Sequence, residues 1–437
     1  MIVSYGTPNE AIMQKPDSAA HGERGAILVQ VAVSLLMLMG FLVFVLDYGV
    51  VLTSRGQAQN SADGGALAGA IARAFDDTSV APPAGGVVEL AAKQVAAQNL
   101  VWKESGSVGV SYACPPGVTG GGCVRVDVFR NGEGVPASPT LPVFFGPVLG
   151  ITSQGVRATA TAQAASANGT NCLKPWAVAD KWLERDDPLW TPTSTYAPGS
   201  PTTDDVYIPP YSASTTGFKR ANASGAPVDT GYQMTLKLAH PGPAPGPGTF
   251  SAGWAMSLYL PNSTAPGEGA TNYEDNIINC TTATIGIAPE ASTCPAINTE
   301  QGCLDVLTGA MTGKTKSGTE AIVARDPYAS WTGGYGGHIT GGDGLNERVV
   351  PIALFDTALY LSQGYNGTNG IVKLVGLLGF FVEGLCKDSF SKEPYLDCSN
   401  NQNDVVGRLV SFPAIHVQGA GENAPGAAFG LVIRLVR

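Results

Sequence analysis

The sequence predicts an α+β protein: a single N-terminal transmembrane helix extended into a small α+β unit, followed by a β-rich, loop-rich extracytoplasmic region. Three observations predict it. An uncharged apolar run occupies Gly25–Leu46, apolar spacing switches from three and four to two beyond residue 100, and all eight cysteines follow the apolar run. Composition agrees: 56 Gly, 31 Pro and only 14% charged residues favour short strands joined by many turns. A net charge of −10, a pI near 4.9 and the lack of any basic run exclude a nucleic-acid groove, which needs clustered Lys and Arg.

Gly25–Leu46 reads GAILVQVAVSLLMLMGFLVFVL between Arg24 and Asp47, with Gln30 and Ser34 its only polar residues. As a helix it covers roughly 33 Å, enough for the roughly 30 Å of hydrocarbon in a bilayer. A backbone in lipid has no water to bond, so the run must be helical. It exceeds the apolar core of a secretory signal, and the first A-x-A pattern, Ala66-Leu67-Ala68, comes too late for cleavage, which predicts a retained anchor over 23–52. Lys15 and Arg24 before the span balance Arg55 and Arg73 after it. The cysteines decide the orientation: oxidation beyond the span places residues 1–22 as a disordered tail in the cytoplasm.

After Asp47, Ala and Gln keep helix propensity high to Phe75, so the helix continues into water, weakened by Gly56, Gly64 and Gly65. Gly65-Ala66-Leu67-Ala68-Gly69 fits a small-residue helix-packing face, a pattern that Ala/Gly-rich segments also produce by chance. Pro82 and Pro83 break the helix. A second helix follows in VVELAAKQVAAQNLVW, with Val88, Ala91, Ala92, Val95, Ala96 and Leu100 as its buried stripe. Strands at Ser107–Tyr112 and around Val124, Val126 and Val128 form a hairpin closed by Cys114 and Cys123. Leu141–Gly150 is a short apolar helix or turn, and the alternation over Ile151–Ala165 completes a membrane-proximal α+β domain over 53–165. Residues 172–437 form the β-rich domain, with strands at Met234–Leu238, Trp254–Leu260, Arg348–Phe355, Gly370–Val382, Val405–Phe412 and Phe429–Val436. In the last, Phe429, Leu431, Ile433 and Leu435 share one buried face. The runs 191–213 and 240–248 are too rich in Pro and Gly for regular structure.

Cys114 with Cys123 and Cys386 with Cys398 are close in sequence across turn-rich loops; Cys172, Cys280, Cys294 and Cys303 then allow three connectivities, with buried free thiols as the alternative. No other site chemistry stands out. His21, His240, His338 and His416 are scattered, without HExxH or HxH, so no metal or catalytic set is predicted. GAMTGKT at Gly309–Thr315 is one residue short of a phosphate-binding loop, and no GxSxG occurs. Asp343 and the Glu274-Asp275-Asn276 cluster offer oxygen ligands without calcium-loop spacing. The sequons at Asn168, Asn222, Asn262, Asn279 and Asn366 read as turn chemistry.

Glu23-Arg24-Gly25-Ala26, the span, Leu46-Asp47-Tyr48-Gly49, Gln57-Ala58-Gln59-Asn60-Ser61-Ala62-Asp63 and Ala66-Leu67-Ala68-Gly69-Ala70 occur in an order that resembles the N-terminal segment of TadG-like Flp pilus-assembly proteins. Gly25, Asp47, Gln59, Asn60, Asp63, Ala66 and Gly69 are its motif and helix-packing positions. Cys172-Leu173-Lys174-Pro175-Trp176, Arg348-Val349-Val350-Pro351 and Phe355-Asp356 look like later segments of such proteins. The resemblance implies a single-pass protein of the bacterial inner membrane, with its bulk periplasmic, that assembles with pilins or other pilus-assembly proteins and uses no cofactor or enzymatic activity. Gln30 stands where pseudopilins of the system carry the Glu of the processing site, and the DxSxS metal motif of some TadG proteins is missing. The alternative is a membrane-tethered periplasmic hydrolase or ligand-binding domain, which would need acids, bases or histidines converging in a pocket.

Overall fold

The computed structural model describes residues 23–76, 82–119, 121–185, 190–191, 194–199, 204–222, 224–236, 250–251, 255–307, 311–342, 347–363, 370–386, 395–396 and 404–436. The 1–22 tail with His21, the 240–248 run, Asp343, Asn366 and Cys398 lie outside the described residues.

A continuous helix opens the described chain: α1 (Glu23–Leu42), a π-helical turn (Val43–Asp47) and α2 (Tyr48–Phe75). Its two halves sit in different surroundings. Between Ile27 and Leu46 most of the described large apolar side chains stand bare, Leu28 at 72% and Met37 at 71% exposure. Among the described residues this is the helix long and apolar enough to cross a membrane, by length and composition. From Val50 onward α2 buries a face of small residues, including Ala58, Ala62, Ala66 and Ala70 at four-residue steps. The helix passes Gly56, Gly64 and Gly65 unbroken, because packing fixes the backbone that glycine leaves free.

That face packs against α3 (Val87–Gln98) and the hairpin of β1 (Ser107–Ser111) and β2 (Cys123–Arg130), with β3 (Val156–Ser166) beside it. A Cβ on Gly65 would stand 2.9 Å from the Ala92 carbonyl and from the Ala96 methyl; one on Gly69 would stand 2.7 Å from Val124. The Gly65–Gly69 run therefore seats the helix on its own domain, not on a partner helix in lipid. We expect Gly69→Val to cost about 1–3 kcal/mol by overpacking, read as a lower denaturant midpoint. Gly56→Ala, at a position with open space around it, should be neutral or slightly stabilising.

Helix α3 ends four residues before the expected Trp102. Asn99 turns extended and Trp102 and Lys103 take positive φ, so Leu100, assigned to the buried stripe, is exposed instead; Val88, Ala92 and Ala96 are buried as a stripe.

Downstream come β4 (Trp176–Ala179), β5 (Gln233–Leu236), β6 (Ala255–Ser257), α4 (Ala270–Ile278), β7 (Cys303–Asp305), α5 (Thr312–Arg325), β8 (Val349–Phe355), α6 (Thr357–Ser362), β9 (Ile371–Cys386), β10 (Val405–Val410), β11 (Phe412–Pro413) and β12 (Gly430–Val436). The larger sheet runs β5-β10-β9-β8-β4-β6, with β7 also on β9. Strand β9 is buried along nearly its whole length and pairs antiparallel with both neighbours, so its 16 residues form the spine of this unit. Strand β4 lies parallel to β8, Ala179 opposite Phe355.

The smaller sheet runs β1-β2-β3-β12-β11. Its fourth strand comes from the far end of the described chain: β12 pairs antiparallel with β3 from Leu431 opposite Ser166 to Val436 opposite Thr161. Strand β11 covers the outer edge of β12 only at Gly430 and Leu431. Phe429 and Leu431 are accordingly buried, whereas Leu435, expected on the same buried face, is exposed past the point where the edge is covered.

Candidate functional site

Among the described residues, polar groups gather where the helix leaves its bare half and at the carboxyl ends of β4 and β8, among other places. Asp47 closes the π-helical turn and is buried in a stretch otherwise apolar. Its carboxylate accepts three consecutive backbone N–H groups, from Phe144 (2.9 Å), Phe145 (3.0 Å) and Gly146 (2.6 Å). A 3-10 turn at Gly146–Leu149 begins inside the loop, so its first N–H groups have no partner of their own and turn to the carboxylate. The apolar segment expected as a short helix or turn is thus pinned to the helix by one charged side chain.

The other motif residues knit α2 to its domain. The Gln57 side-chain amide oxygen accepts the Trp102 N–H at 2.8 Å, and the Ser61 hydroxyl donates to the Ala96 carbonyl at 2.8 Å. The Gln59 amide donates to Asp63 at 2.8 Å and to the Thr159 carbonyl at 3.4 Å. Ala66 and Gly69 are buried against α3 and β2, while Gly25 and Asn60 face outward. Near the end of α2, Arg73 donates to the Cys123 carbonyl and lies over the Tyr112 ring, 5.4 Å from its centre.

Disulfides join Cys114 to Cys123, Cys172 to Cys280 and Cys294 to Cys303, and Cys386 is also disulfide-bonded. The later segments prove to be anchors. Next to Cys172, the buried Lys174 ammonium donates to the carbonyls of Asn279 (2.7 Å) and Asn276 (3.4 Å) at the end of α4, and Trp176 donates to the Tyr273 hydroxyl at 3.1 Å. Burial, with Arg325 adding repulsion, pushes Lys174 down to about 7. Arg348 donates to the carbonyls of Val382 (2.8 Å), Ala329 (2.8 Å), Glu383 (2.6 Å) and Asp326 (3.3 Å), and Asp356 caps α6 by accepting the Leu359 N–H at 2.9 Å. Glu274 and Lys314, from the two sequence stretches that imitate calcium and phosphate sites, form an ion pair with each other.

At the ends of the parallel pair, Asp180 follows β4 and Asp356 follows β8. Asp180 accepts the N–H groups of Lys181 (2.8 Å) and Phe218 (2.9 Å) and the Tyr207 hydroxyl (3.1 Å), while Lys373 stands 3.7 Å from Asp356. Burial pushes Asp180 up to about 7, with the Asp356 charge adding to the rise, and burial also raises Asp356. Asp180 is wholly inaccessible, and sequence spacing gave no sign of the cluster because its members come from five segments. No group of three or more His, Cys, Asp or Glu able to hold a metal occurs among the described residues, where His338 lies exposed on a short hairpin. Since the folded value of Asp180 is raised, its contribution to stability is complete below the unfolded value near 4 and is lost as pH rises through about 7. Asp180→Asn mimics the protonated acid and should flatten that loss, up to about 4 kcal/mol, in denaturation midpoints measured between pH 4 and 8.

A family model described as "Putative Flp pilus-assembly TadE/G-like" matches residues 25–73, ending two residues short of the end of α2. No curated protein and no solved structure matches the chain. The match thus covers the long helix, from the bare apolar half through the motif that seats it on its sheet, and over that stretch the chain is similar to TadE/G-like proteins.

Proposed function

We propose that the chain is a non-enzymatic, single-pass anchor protein of Flp pilus assembly in a bacterial inner membrane, with a cytoplasmic N-terminus and a periplasmic bulk. One observation carries this reading: a single unbroken helix has an apolar half bare enough for lipid and a second half that is the packing core of a folded domain, and it coincides with the TadE/G-like match. The disulfides support an oxidising compartment for the bulk. Pilins or other assembly proteins are the partners this reading requires. The test is thiol labelling of intact cells and spheroplasts with an impermeant maleimide. Labelling confined to spheroplasts treated with reductant supports the topology; labelling that needs inner-membrane permeabilisation, or no reductant, overturns it. Loss of surface pili on deletion of the gene, restored by the full chain but not by a version lacking residues 25–46, tests the role.

A further inference from the structure

The loop held by Asp47 is a membrane surface in its own right. We propose that residues 143–151 insert into the interfacial layer of the bilayer beside the spanning helix, giving the domain a second membrane attachment. Position is the first argument. Asp47 follows the apolar run by one residue, so it lies roughly 33 Å along the helix from Gly25, at the edge of a hydrocarbon core of roughly 30 Å. Three N–H bonds of 3.0 Å or less hold Phe144, Phe145 and Gly146 at that level. Composition is the second. Phe144 (58%), Val148 (62%) and Ile151 (48%) are exposed, and no charged residue occurs between Glu133 and Arg157. At the same level of the helix the exposed Phe44 stacks on the exposed Tyr48, ring centres 5.3 Å apart, and Tyr is a residue enriched at bilayer boundaries.

Backbone accounting is the third. Apolar surroundings penalise every unpaired N–H, and this loop leaves few. Pro147 has none, Asp47 takes three, and the N–H groups of Val148, Gly150 and Ile151 reach the carbonyls of Phe145 (3.1 Å), Pro147 (3.2 Å) and Gly146 (2.9 Å). Apolar side chains outward and backbone polarity turned inward suit a lipid surface better than a protein partner, which would offer hydrogen bonds in return.

The inference rests on Gly25–Leu46 spanning the membrane, and the test separates the two. Phe144→Cys, Val148→Cys, Leu36→Cys and Tyr328→Cys are made one at a time in the full chain, whose described native cysteines are all disulfide-bonded. Each is labelled with an environment-sensitive fluorophore and reconstituted in vesicles of phosphatidylethanolamine and phosphatidylglycerol carrying nitroxide near the headgroup or near the chain end. Labels at 144 and 148 should emit blue-shifted and be quenched most by the shallow nitroxide, the label at 36 by the deep one, and the label at 328 by neither. Quenching at 36 with labels at 144 and 148 behaving like 328 would overturn the loop insertion and leave the span intact. No quenching at 36 would overturn the span itself. Labels at 144 and 148 shielded from water yet unquenched by either lipid would assign the loop to a protein partner and reject the proposal.

Discussion

Asp47→Ala should release the 143–151 loop and cost about 3–5 kcal/mol of the stability of the unit that α2, α3 and the smaller sheet form. The carboxylate is the partner of three backbone N–H groups, and a buried donor that loses its acceptor costs about 1–3 kcal/mol, less where water can reach it. Amide hydrogen exchange is the direct measurement, because the amides of Phe144, Phe145 and Gly146 should lose protection together while those of β2 and β3 keep theirs. Asp47→Asn is the informative companion. Its amide oxygen can accept one or two of the three bonds, so it should fall between wild type and alanine. Protection unchanged in Asp47→Ala would show that the loop is held by its own turns.

Removing the Cys172–Cys280 bridge should cost about 4–5 kcal/mol, and removing Cys294–Cys303 about 2–3 kcal/mol, on the chain-entropy view of cross-links. The first closes a loop of 108 residues and the second one of 9, and the unfolded chain regains more freedom from the longer loop. The Cys172–Cys280 bridge also lies beside Lys174, whose ammonium holds the end of α4, so its loss loosens an anchor as well as the unfolded-state constraint. Urea midpoints of the Cys172→Ser/Cys280→Ser and Cys294→Ser/Cys303→Ser double variants give the comparison. Equal losses would rule out loop length as the deciding quantity.

What could be read from the sequence was whatever local composition determines. The uncharged run gave the helix that can span, period-two alternation gave β2 and β3, and Ala and Gln propensity gave the continuation of the helix to Phe75. What it hid depends on distant partners. The π turn and the Asp47 clasp join positions about a hundred residues apart. Gly65 and Gly69 fit helix pairing in lipid and sheet packing in water equally well as sequence; only the Val124 and Ala92 contacts distinguish them. Helices α4 and α5 leave little trace in the sequence because each has only two large apolar residues on its buried face, Tyr273 and Ile277 in α4 and Ile322 and Val323 in α5, and burial of those residues in the core of the larger unit stabilises them. The Asp180 cluster draws on segments with nothing in common but their fold. Leu435 shows the opposite limit: alternation names a face, not whether anything covers it.

The strand Gly430–Val436 covers the edge of β3 in the sheet that begins at Ser107. During synthesis the rim of β3 therefore stays bare until residues 430–436 have been made. The matching strand of a neighbouring chain has that interval in which to add there. Completion of the smaller sheet then waits on the body that precedes this strand, so a chain truncated before residue 430 would keep an adhesive seam.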